Sequence, residues 1–195
     1  MNFLGHCLFS DLTPDALNGG LWPDFGRRPD AAFLSESFYR HFDRHQVIDQ
    51  LTDHHDLLEP IRAALRPTFR KTTPVVIDMM LDHHLATNWE RYHSQPLEDF
   101  AQACYQNLRA FDGLEQPKRM SQTLHWMQSH DWFVSYRDPM GMVRALEGMS
   151  RRLRFDNPMH QHRHQAVDDT VRYADGLSDF VRWLQQELPT PDHND

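Results

Sequence analysis

Residues 30–54, DAAFLSESFYRHFDRHQVIDQLTDH, decide the fold class. Phe33, Leu34, Phe38, His41, Phe42, His45, Ile48 and Leu51 recur every three or four positions, the repeat of one helix face and not the alternation of a strand. The same stretch carries His45, Asp49 and Asp53 one helical turn apart, so their side chains lie along one face. Residues 73–89, TPVVIDMMLDHHLATNW, repeat the arrangement. Thr73 and Pro74 start a helix whose apolar residues Val75, Ile77, Met80, Leu81, Leu85 and Trp89 are interrupted by Asp78, Asp82 and His83. Two such helices can aim oxygen and nitrogen ligands at one point. Carboxylate and imidazole suit divalent metal ions, which neutralise anionic substrates and activate water.

Outward from these two segments the pattern stays helical. Short helices are expected over residues 3–10 and from Thr13, an N-cap followed by Pro14, to about residue 21. Pro60 and Pro67 bracket a segment centred on residues 61–65, and further helices are expected over 96–110, 117–129, 139–152 and 157–187. Strand-length alternation is almost absent. An all-α, single-domain helical bundle over residues 1–188 follows, with residues 189–195 as a polar, mobile tail.

The chain of 195 residues carries a formal net charge of -8, whereas general nucleic-acid binders show a basic excess. Nucleic acid is therefore not expected as a partner. No run approaches a membrane span, and residues 1–10 lack the pattern of a signal peptide. Two cysteines, Cys7 and Cys104, are too few for a disulfide framework and suit a reducing cytoplasm. The charge and cysteine content leave the oligomeric state open.

Each candidate residue has a plainer alternative. His45, Asp49 and Asp53 alone could be a solvated stripe, but Asp78 and Asp82 sit among apolar residues where an unpaired carboxylate is costly. His6 could be a core histidine, and Asp24 could cap a turn. His160, His162 and His164 alternate and so do not share a helix face; they are read as surface residues. Trp126, Trp132, Phe133 and Tyr136 are read as core.

The order of motifs resembles the acyl carrier protein phosphodiesterase family. The resemblance rests on Met1-Asn2-Phe3-Leu4 with His6, Gly19, Asp24-Phe25, His45 with Ile48-Asp49, Leu51-Thr52-Asp53, Asp78, Asp82-His83 and Leu85 through Trp89. It continues through Trp132, Tyr136-Arg137-Asp138 and Gly148-Met149 followed by Ser150-Arg151-Arg152, to about residue 155. It departs at Leu8, where the family commonly has a second histidine, at Gly20, commonly asparagine, and at Arg28, commonly glycine. The resemblance implies a cytoplasmic, HD-domain-like hydrolase, with manganese as the usual metal. Such an enzyme releases 4'-phosphopantetheine from holo acyl carrier protein and leaves the apo form.

On that reading Asp24, His45, Asp82 and His83 are expected as inner metal ligands. Asp49 and Asp78 are expected either to bind the ion or to orient the imidazoles, and His6 to lie beside the ligands. Asp53 is the expected general base. Arg27 is a candidate for a phosphoryl oxygen, with an exposed solubilising role as its alternative. An acidic carrier protein needs local positive charge on an acidic enzyme. Arg151, Arg152 and Arg154 form the densest basic run, although a helix end complementing its own dipole would look the same. Alternatives are a phosphohydrolase acting on another small phosphate ester, or a carrier-protein-binding module without activity.

Overall fold

The structure, a computed structural model, describes residues 1–30 and 32–189. The expected tail, 190–195, lies outside the described residues. Among the described residues the chain forms α-helices and short 3-10 turns with no strand. The α-helices are α1 (Phe3–Leu8), α2 (Pro14–Leu21), α3 (Glu36–His54), α4 (Glu59–Phe69), α5 (Thr73–Thr87) and α6 (Leu97–Arg109). They continue as α7 (Lys118–Ser129), α8 (Trp132–Ser135), α9 (Pro139–Arg152), α10 (Met159–Arg172) and α11 (Ala174–Glu187).

Capping chemistry sets several boundaries. Thr13 accepts from the Ala16 amide at 3.3 Å with Pro14 opening α2. Asp138 likewise accepts from Met140 at 3.0 Å ahead of Pro139. Ser35 accepts from Phe38 at 3.1 Å, so α3 starts at Glu36 and not near residue 30. Phe33 is consequently left 70% exposed, outside the stripe it was expected to join. Pro67 lies inside α4 and does not end it; the helix closes two residues later, at Phe69. The expected helix over 157–187 is two helices. The backbone leaves helical geometry at Tyr173 (φ -105°, ψ 18°), which ends α10 and starts α11, and bends at His162 (φ -108°, ψ 16°).

α5 is the hub. Eleven of its fifteen residues are buried, the signature of a helix enclosed on all sides. It packs against α1, α3, α4, α9, α10 and α11. α2 lies along α3, and the approach is set by Gly19, where a Cβ would fall 2.1 Å from the carbonyl oxygen of Phe38. Gly19→Ala is expected to push α2 off α3 and destabilise the fold by about 1–3 kcal/mol, read from a shift of the thermal midpoint. An unchanged midpoint would show that the two helices can separate without cost. Phe38, Phe42 and Ile48 are buried on α3, while His45 and Asp49 meet His6 of α1.

Candidate metal centre

α1 is short, buried and lacks a side-chain cap of its own, since Asn2 makes no such bond. Its first amides are satisfied from α5. Asp82 Oδ2 accepts from Leu4 N at 2.9 Å and Oδ1 from Gly5 N at 3.0 Å. These are the donors that a helix start leaves without partners, and a carboxylate there also meets the positive end of the helix dipole. Gly5 allows the approach, because a Cβ would sit 3.1 Å from that carboxylate and 2.7 Å from Met1 Sδ. The next residue is His6, which is thereby delivered to α3.

His6 and His45 stack with ring centroids 3.7 Å apart and planes 11° from parallel. His45 Nδ1 donates to the carbonyl of Gly20 at 2.6 Å, so in the neutral ring Nε2 carries the lone pair; against the cost of burial, the adjacent Asp49 carboxylate raises the His45 pKa and favours the protonated ring until a cation takes the proton's place. Asp49, one turn along α3, reaches both rings. Its Oδ1 lies 3.1 Å from His6 Nε2 and its Oδ2 3.0 Å from His45 Nε2. Neither buried nitrogen of His6 makes a hydrogen bond: the 3.1 Å contact to Asp49 has the proximity of one without the alignment. Ligand atoms of His6, His45 and Asp49 all lie within 4.8 Å of one another. Asp24, on the turn Trp22–Asp24, brings Oδ1 to 3.9 Å from His45 Nε2. The Met1 amino group completes the surround, donating to Asp78 Oδ1 at 2.8 Å and lying 3.5 Å from Asp49 Oδ1.

The electrostatics fit a cation. Burial, reinforced by His45, lowers the His6 pKa to about 3, so the ring is neutral and able to ligate. Against the cost of burial, His45 and His6 hold the Asp49 carboxyl well below the usual range. Desolvation raises Asp24 and Asp78, the latter despite the adjacent Met1 ammonium. Two imidazoles, clustered carboxylates and an orphaned buried nitrogen pair are the donor set of a site for a borderline divalent ion.

The structure therefore brings together Asp24, His45 and Asp49 of the residues expected as ligands, with Asp78 alongside. It adds His6 at the centre, where only an accessory place was expected. It does not bring in Asp82 and His83. Asp82 is fully buried and both its oxygens are occupied by α1 amides. His83 is engaged elsewhere, its Nδ1 2.5 Å from the carbonyl of Tyr136. Asp53, the expected base, is exposed one turn beyond Asp49, and Arg27 is exposed with its carbonyl accepting from Trp22 Nε1 at 3.2 Å. The departures from the family pattern are absorbed locally. Leu8 is core, and the group that Gly20 supplies to His45 is its backbone carbonyl, which any residue possesses.

A cavity of about 620 Å³ opens beside the cluster. Asp24, Asp49 and Asp78 line it, together with three arginines that local sequence pattern did not single out as one group: Arg119, Arg144 and Arg152. Trp132 and Tyr136 also face it, Tyr136 as a buried residue, while Trp126 is 55% exposed on the outer face of α7 and stacked on His130 at 5.0 Å. The basic run divides. Arg151 pairs with Glu147 of its own helix at 2.6 Å, Arg152 turns to the cavity, and Arg154 is exposed beyond α9.

No helix among the described residues is long and apolar enough to cross a membrane. Both cysteines are free and buried. No solved structure matches the chain. A family profile described as acyl carrier protein phosphodiesterase matches residues 1–187. The acyl carrier protein phosphodiesterase of Escherichia coli O139:H28 (strain E24377A / ETEC) is 32% identical over 160 residues, 80% of this chain and 81% of that protein. The protein of the same name from Escherichia coli strain K12 / DH10B is similar to the same extent. The chain belongs to the acyl carrier protein phosphodiesterase family.

Proposed function

We propose that this protein is a cytoplasmic, metal-dependent phosphodiesterase that cuts the bond between the serine oxygen of holo acyl carrier protein and 4'-phosphopantetheine. The observation that carries it is the convergence of His6, His45 and Asp49 beside a cavity that holds both carboxylates and arginines. His6, His45, Asp49 and Asp24 would hold the ion, and manganese is the ion that the family resemblance suggests. A bound divalent ion supplies positive charge for the phosphoryl oxygens and makes water more acidic.

The chain's own residues do the rest. Gly20 accepts from His45 Nδ1 through its carbonyl, so the neutral ring would present its Nε2 lone pair to the cluster. Asp78 faces the cavity next to Asp49, placed to take a proton from the attacking water, and the Met1 amino group orients it. Asp53, the earlier candidate for that proton, lies exposed and does not line the cavity. Arginines lining the cavity offer forked donors to phosphoryl oxygens, which Arg27 is not placed to do. Arg151 and Arg154 lie exposed at and just beyond the end of α9, with Arg152 turned to the cavity mouth, and positive charge there would help to receive an acidic carrier protein.

The test is direct. Purified protein incubated with manganese and holo acyl carrier protein is expected to convert the carrier to its apo mass, with phosphopantetheine released and no conversion in the presence of a chelator. An unchanged carrier mass with every divalent metal tried would sink the assignment and favour a binding module.

A further inference from the structure

On one wall of the large cavity the cleavage chemistry accounts for the arginines but not for the residues between them. α9 contributes Arg144, Ala145, Gly148, Met149 and Arg152, a stripe at helical spacing in which Gly148 stands one turn from each arginine. A glycine inside a helix costs about 1 kcal/mol relative to alanine, so its presence calls for a reason. At Gly141 of the same helix the reason is packing, since a Cβ would lie 1.8 Å from the carbonyl of Ser135. At Gly148 packing supplies none: a Cβ would meet nothing within 4 Å. What glycine preserves there is empty width between two cations.

The same cavity is lined by an aromatic tier. Phe3 stacks on Phe25 at 5.8 Å and on Trp132 at 6.4 Å, and all three rings face the space. A volume of about 620 Å³, apolar surfaces and a few charged groups describe a seat for a slender molecule of methylene and amide groups carrying a phosphate.

We infer that the α9 stripe is the subsite for the pantetheine arm, and that Gly148 is the residue that determines whether the arm can lie there, with Arg144 and Arg152 flanking its passage. This rests on the proposed activity for the identity of the arm, but its test does not require turnover. Free 4'-phosphopantetheine is titrated calorimetrically, with chelator present, into the unaltered protein and into Gly148→Ala and Gly148→Leu. Because the position is open, both variants are expected to fold, with unchanged helical circular dichroism and unchanged manganese affinity.

Leucine at this position is expected to weaken phosphopantetheine binding by about 10-fold or more, the scale of a side chain filling a binding pocket. Alanine is expected to weaken it by about 3-fold, less than leucine but measurably, and inorganic phosphate should bind both variants as it binds the parent. Equal affinity of the parent and Gly148→Leu for phosphopantetheine, or no binding to the parent, overturns the subsite. If the parent binds the arm but never releases it from the holo carrier, the activity falls and the subsite stands. If parent and Gly148→Leu cleave the holo carrier equally well, the subsite falls and the activity stands.

Discussion

Asp49→Asn is expected to abolish manganese-dependent conversion of holo acyl carrier protein while leaving the helical fold intact. Asp49 meets both imidazoles, one through each oxygen, so the substitution removes a charge shared by the two rings. The loss should exceed the roughly 10–100-fold that removing an outer partner of a metal ligand costs. His6→Ala should lower metal content comparably, and His83→Ala should leave it near the parent value, because His83 is engaged with the Tyr136 carbonyl. Metal analysis and carrier mass measured on the same preparations check all three. Full turnover by the Asn variant, or metal loss in His83→Ala equal to that in His6→Ala, would remove this ligand set.

The second large effect is on stability. Asp82→Ala strips the acceptor from the Leu4 and Gly5 amides and leaves two donors buried without partners, at about 1–3 kcal/mol each. Asn, which keeps one acceptor, should cost less. A pH effect accompanies it. Burial raises the Asp82 pKa from 3.8 to about 7, so between those values the folded protein retains a proton that the unfolded chain has released. Stability should therefore fall as pH rises through that window, and Asp82→Asn should flatten the slope. Chemical denaturation of the metal-free protein at several pH values reads both effects. A slope that is unaltered by the substitution would mean that Asp82 is ionised throughout.

Asp82 also shows where the sequence stops being legible. Its position among Ile77, Met79, Met80 and Leu81 pointed to a cation or solvent as what accommodates the carboxylate, and spacing could not show that a pair of α1 amides does so. The helices themselves were readable because apolar periodicity and Ser, Thr, Asp and Pro at their starts are local signals. The break at Tyr173 was not, since no proline or glycine marks it and tertiary packing of α10 and α11 decides it. His45 and Asp49 could be paired from their spacing of four. His6 lies far away in sequence, in a helix buried at every residue, and only the docking of α1 on α5 carries it to them. The cavity arginines come from α7 and α9, which no local motif connects.

That docking has a consequence for how tightly an ion is held. α1 is six residues long, too short to persist as a helix by itself, and it contributes one imidazole to the cluster. Undocking of α1 from α5 would thus withdraw His6 from the ligand set, at the cost of exposing six buried residues and uncapping the Leu4 and Gly5 amides. Ion release and exposure of the Leu4 and Gly5 amides to solvent deuterium then become two readings of one equilibrium. An ion that binds only the docked form shifts that equilibrium by mass action, so the metal acts as the clasp of the first helix as well as the reagent beside it.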